Sequence, residues 1–149
     1  MKGIFNKDDN EELLKRIDQL SVDSRPLWGK MNVAQMLAHC QQPIRVAFGL
    51  SEPTRTLFGR LFGNIAKKQL LSDRPWRKNL PTDRTFIIAD SRDFEKEKEN
   101  LKNLVRKFHD DGPGALSKRP HPFFGNMSTE DWDRMSWKHL DHHLQQFGV

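Results

Sequence analysis

The chain has 149 residues, 36% hydrophobic and 30% charged, with a formal net charge of +5. This length supports one folded domain, expected over residues 1–149, whose core needs no covalent staples; the composition is that of a soluble globular protein. The single cysteine, Cys40, excludes an intrachain disulfide and a cysteine-rich zinc module. No apolar run is long enough to span a bilayer, and the N-terminal MKGIFNKDDNEELL lacks the apolar core of a secretory signal. A cytoplasmic location and no membrane partner are therefore expected.

In chain order, the first helix is expected from Asn10 to Leu20. Asp9 stands at its cap and Glu12 at the capping-box position, and Leu13, Leu14, Ile17 and Leu20 follow at helical spacing. The second starts after Asn32, with Gln35 three residues on. Val33, Met36, Leu37, Cys40, Ile44, Ala47 and Phe48 make its apolar stripe, and Pro43 predicts a kink or break. A third helical region covers Thr56 to Leu71, with Leu57, Leu61, Ile65 and Leu70 as its buried side and Arg60, Lys67 and Lys68 outside; Gly59 and Gly63 weaken it or admit a close neighbour.

Ser72 to Ala89 reads as irregular because of Pro75 and Pro81, with a short extended piece at Phe86 to Ile88. The next helix is expected from Arg92 to Asp110, capped by Asp90 or Ser91. Phe94, Leu101, Leu104, Val105 and Phe108 line its inner side, and Gly112-Pro113-Gly114 ends it. The last helix begins after Ser128, with Asp131 at the capping-box position, and runs to Phe147. Four substantial helices, one shorter one and almost no strand predict an all-α bundle with long connections.

Of six histidines, three fall within five residues, in KHLDHHLQQFG. On a wheel of about 100° per residue, Trp132, Met135, Ser136, His139, His143, Gln146 and Phe147 share one arc, with His139 and His143 about 40° apart at its centre. His142 lies at its edge. Two imidazoles one turn apart can converge on one ion, and neutral imidazole suits zinc, nickel, copper or iron(II). The alternative is a pair of core-edge histidines satisfied by hydrogen bonds. A third ligand must come from elsewhere. His39 lies in another core helix but about 120° from the centre of its apolar stripe, so periodicity leaves ligand and surface histidine equally open. His121 precedes the last helix in a loop, and His109 fits a favourable contact with a helix C-terminus.

The segments LWGKMNVAQMLAHC, HPFFGNMSTEDW and KHLDHHLQQFG, in that order, resemble the DinB-like (YfiT-like) superfamily of proposed metalloenzymes, and more narrowly a bacterial branch of unknown function. The resemblance covers about Trp28 to Val149. It implies a DinB-like four-helix bundle with a metal between His39, His139 and His143, and it matches Gln146 to a recurrent family glutamine. It further implies a metal-dependent enzyme on a small-molecule substrate, a transferase or hydrolase, with zinc or nickel as the metal and a low-molecular-weight thiol as a second cofactor. His121 and His142 are then candidate proton shuttles, and a homodimer is among the expected states. Between Arg55 and Lys78, seven basic residues face one acid, Asp73. This stretch is most simply a solvated basic face, and in the enzyme reading it attracts an anionic substrate. Nucleic-acid binding through Trp76 and Phe58 among these arginines ranks lower, because no recognised motif frames them. A metal-binding or stress-response protein without chemistry is the rival to the enzyme.

Overall fold

The computed structural model describes residues 2–54, 57–82 and 84–149. Among them it is helical, with no strand: α1 (Lys7–Gln19), α2 (Val33–Ala47), α3 (Leu57–Leu70), α4 (Phe94–Asp111) and α5 (Thr129–Gln146), plus short 3-10 turns at Arg84–Phe86 and Pro113–Ala115. An isolated bridge between His121 and Gly125 is the only β pairing there.

Side-chain caps set the helix starts. Asn32 and Gln35 form a reciprocal capping box on α2, and Ser128 and Asp131 form one on α5, both as the spacing predicts. Two starts differ from expectation. Asn6, not Asp9, caps α1 by accepting the Asp9 N–H; the Asp9 carboxylate instead accepts from Gly3. Asp93, rather than Asp90 or Ser91, caps α4 by accepting from Lys96. Asp90 is paired with Arg92. The expected start of α3 at Thr56 lies outside the described residues, as does Arg55.

α4 packs against α1 and α2, and α5 closes the arrangement against the same two helices. The core is filled by Leu13 and Ile17 of α1, Met36, Leu37 and Ile44 of α2, Leu101, Val105 and Phe108 of α4, and Leu140 and Leu144 of α5. Polar ties hold the pieces in register. Buried Asn10 donates to the carbonyls of Ile4 and Val105, and Arg16 donates to Asp141 and to the Val149 carbonyl.

Two expectations are corrected and a third is narrowed. α2 runs unbroken through Pro43, so of the expected kink or break the break does not occur, although that residue lacks the N–H that the His39 carbonyl would otherwise accept from. Phe86 lies in a 3-10 turn rather than an extended segment; its ring is buried while Ile87 is exposed. The largest departure is α3. Leu57, Leu61 and Ile65, expected inside, are 73%, 66% and 67% exposed, and Gly59 and Gly63 are the buried positions. A Cβ on Gly63 would stand 1.9 Å from the Phe123 carbonyl oxygen, and one on Gly59 2.9 Å from the Phe123 Cα. The helix therefore meets the backbone of 122–124 through its glycines, and its large side chains turn outward.

Candidate metal centre

α2 contributes His39 and α5 contributes His139 and His143. All three turn toward the seam between those helices, with ring centroids 5.0 Å (39–139), 4.8 Å (39–143) and 4.7 Å (139–143) apart. One ligand atom from each lies within 4.8 Å of the others, so the cluster could hold a metal ion. The periodicity of α2 left His39 undecided because it assumes one packed side. In the fold α2 is covered by α4, by α5 and by the Arg84–Phe86 turn. Ala34, Ala38, His39 and Gln41 are buried along with the stripe.

The partners of the rings define which nitrogens are bare. His39 Nδ1 lies 2.9 Å from the Phe86 carbonyl, which can only accept, so Nδ1 carries the proton and Nε2 a lone pair. His143 Nδ1 lies 2.8 Å from Gln146 Oε1, which fixes the same tautomer, and Gln146 in turn donates from Nε2 to the Trp28 carbonyl at 2.6 Å. The Nε2 atoms of His39 and His139 stand 3.1 Å apart. Two nitrogens bonded at about 2.0–2.1 Å to one zinc-like ion stand roughly 2.9–3.4 Å apart. Ring nitrogens at that spacing, with His39 and His143 each held from behind by an oxygen acceptor, form a donor set that could hold a metal ion.

Burial disfavours the imidazolium form throughout. His139 is held well below the ordinary histidine value by burial first, then by His143, His39 and His142. His143 is pushed down to about 3 by burial and by His39, against the opposing Gln146 hydrogen bond. His39 is lowered by burial, partly offset by Phe86. The rings are therefore neutral near pH 7, the protonation state that a metal requires.

His142 is half-buried beside the trio, between the rings of Trp28 (5.7 Å) and Trp76 (5.7 Å); burial lowers its pKa while Asp141 opposes the shift. Trp76 also lies against His139 (5.9 Å) and anchors its indole N–H on the Leu70 carbonyl. Lys78 stands over Trp28. A cleft of about 300 Å³ reaches Trp76 and His142 and is also lined by Arg74, Arg134, Trp137 and Lys138. Ser136, one turn before His139 on the same arc, is buried, and its hydroxyl has no hydrogen-bond partner among the described residues.

His121 sits apart from the trio, in the turn that follows it. Its Nδ1 accepts the backbone N–H groups of Phe123 and Phe124, and its ring packs on Phe124, Trp132 and Phe86. His109 is exposed at the end of α4. Cys40 is fully buried, and burial pushes its thiol far up, so it is a core side chain rather than a nucleophile. Trp28 and the Phe86 carbonyl were not singled out from the sequence, since neither carries a spacing signal. Gln146 did, three residues after His143.

Residues 5–148 match the family described as "Protein of unknown function (DUF1569)". The chain belongs to that family. No curated protein and no solved structure matches it. For this DUF1569 protein, therefore, the site itself is the main evidence about function. Among the described residues, no helix is long and apolar enough to cross a membrane.

Proposed function

We propose that His39, His139 and His143 hold one divalent ion, zinc or nickel, in a DinB-like bundle, and that this protein is a metal-dependent hydrolase or thiol-dependent transferase acting on a small molecule. The observation that carries the reading is the convergence of three neutral imidazoles from two helices, two of them oriented from behind by Phe86 and Gln146. Three protein ligands, rather than the four of a closed structural zinc site, is the pattern of catalytic zinc. When bound, such an ion supplies Lewis acidity, which makes water or a thiol nucleophilic near neutral pH.

The surrounding residues have distinct tasks in this reading. His142, half-buried and bordering the cleft, can carry a proton between that cleft and the histidine cluster. Arg74 and Lys138 give the cleft a positive edge suited to an anionic substrate. Ser136 offers a hydroxyl with free hydrogen-bonding capacity one turn from His139. A proton-shuttle role for His121 is less favoured, because its Nδ1 already serves two backbone donors of the turn.

Metal analysis of protein purified without an affinity tag or chelator tests the proposal. About one ion per chain is expected, and none in the His139→Ala/His143→Ala double variant. Stoichiometric metal retained by that variant defeats it. A second reading, a metal-binding protein without chemistry, is favoured by one observation: Trp76 packs against both His139 and His142. Cobalt(II) substitution separates the two. A visible spectrum that responds to added azide or thiol supports the open site, and one that does not supports the covered one.

A further inference from the structure

α3 is built the wrong way round for a core helix. Its glycines face the protein, and Leu57, Phe58, Leu61, Phe62 and Ile65 form one exposed arc of about 140°. Phe58 and Phe62 stack on each other at 4.8 Å within that arc. Together these side chains expose on the order of 500 Å² of apolar surface, a patch of a size that marks an interaction site. The helix carries Arg60, Lys67 and Lys68 and no acid, and Lys68 falls inside the apolar arc. Continuing to residue 80 adds Arg74, Arg77 and Lys78 against Asp73 alone, a balance of 6 − 1 = +5. Asp73 is itself paired with Arg134.

We infer that the exposed face of α3 docks on an anionic lipid surface. Two features choose this occupant over a second copy of the chain. Face-to-face pairing would oppose two like-charged helices with no acid in either to answer them, and the patch falls short of the ~800 Å² per partner of a standard stable interface. An anionic bilayer satisfies both halves of the surface. The Leu, Phe and Ile side chains enter the boundary between headgroups and acyl chains, and the flanking cations meet the headgroups. The expectation of no membrane partner rested on the lack of a spanning segment, which does not bear on a helix lying flat. The seat of α3 on the backbone of 122–124, together with the Lys67 links to Asp131 and the Asn126 carbonyl, presents the helix as a fixed ridge.

The test is co-sedimentation of the full chain with vesicles of phosphatidylcholine alone and of phosphatidylcholine mixed with phosphatidylglycerol. It requires no metal, so its outcome is separate from that of the metal proposal. The protein is expected to pellet with the mixed vesicles, to bind the neutral ones far less, and to dissociate as salt is raised. Leu61→Asp, and separately the double variant Arg60→Glu/Lys68→Glu, should each weaken binding at least about tenfold. Both leave the circular dichroism unchanged, since the altered side chains lie on the exposed surface. The inference fails if the wild type stays in the supernatant with mixed vesicles. It fails equally if Leu61→Asp binds them as well as the wild type, or if the wild type is a dimer that Leu61→Asp splits and that ignores vesicles.

Discussion

Replacing Gln146 with leucine isolates the support behind His143. The two side chains are similar in volume, so the change removes hydrogen bonds more than packing. Lost are the acceptor for His143 Nδ1–H (2.8 Å) and the donor to the Trp28 carbonyl (2.6 Å), at a residue only 3% exposed. A buried donor left without a partner costs about 1–3 kcal/mol. The Trp28 carbonyl, in a half-buried residue, recovers part of its loss from water, which puts the total at about 2–3 kcal/mol of folding stability. Metal binding should weaken by a comparable free energy, because His143 loses the acceptor that fixes its tautomer. A 10–100-fold fall in zinc affinity is expected, read by competition against a chromophoric chelator, with urea unfolding of the metal-free protein run alongside. Gln146→Glu keeps an acceptor for His143 but turns a carboxylate oxygen toward the Trp28 carbonyl, so it should restore part of the affinity. If Gln146→Leu binds zinc within about twofold of the wild type, or if Gln146→Glu is as weak as Gln146→Leu, the orienting role is refuted.

The metal-free protein should lose stability on acidification, because its buried histidines have folded pKa values below the unfolded value of ~6.5. Their contribution is fully present above that pH and is lost as pH falls toward about 3, the folded value of His143. Unfolding free energies from urea titrations between pH 7 and 4 should fall less steeply in His143→Gln, by roughly 1.4 kcal/mol per pH unit below 6.5; parallel curves would contradict this. Gly63→Ala places a methyl group against the Phe123 carbonyl and should lift α3 off the protein. Limited proteolysis should then cut within residues 57–70 while the core still melts cooperatively, and an unchanged digestion pattern would show that the glycine contact is dispensable. Trp76→Ala uncovers His139 and His142, so loss of bound zinc to excess chelator should accelerate severalfold; an unchanged rate would mean that Trp76 does not limit access.

Much of this molecule is readable locally. The capping pairs Asn32/Gln35 and Ser128/Asp131 announce α2 and α5, because a cap is a short-range hydrogen-bond problem that the sequence solves within four residues. Where two acceptors compete, as Asn6 with Asp9 or Asp93 with Asp90 and Ser91, the neighbours decide. Asp9 goes to Gly3 and Asp90 to Arg92, contacts that spacing alone does not select. His139 and His143 were legible as a pair because both positions fall on one arc of one helix. His39 was legible as part of the site only through family resemblance, since its place depends on how many neighbours cover α2.

The sequence by itself determined roughly where the helices lie, the capping pairs of α2 and α5, and that two histidines of α5 share a face. Tertiary structure decided what each face meets. An amphipathic period reports that a helix has an apolar side, but only a neighbour makes that side a core. In α2, neighbours on several sides buried a histidine that the period left undecided. In α3, Gly59 and Gly63 allowed the backbone of 122–124 to come so close that no larger residue fits there, and the side that the period assigned to the core was left facing outward.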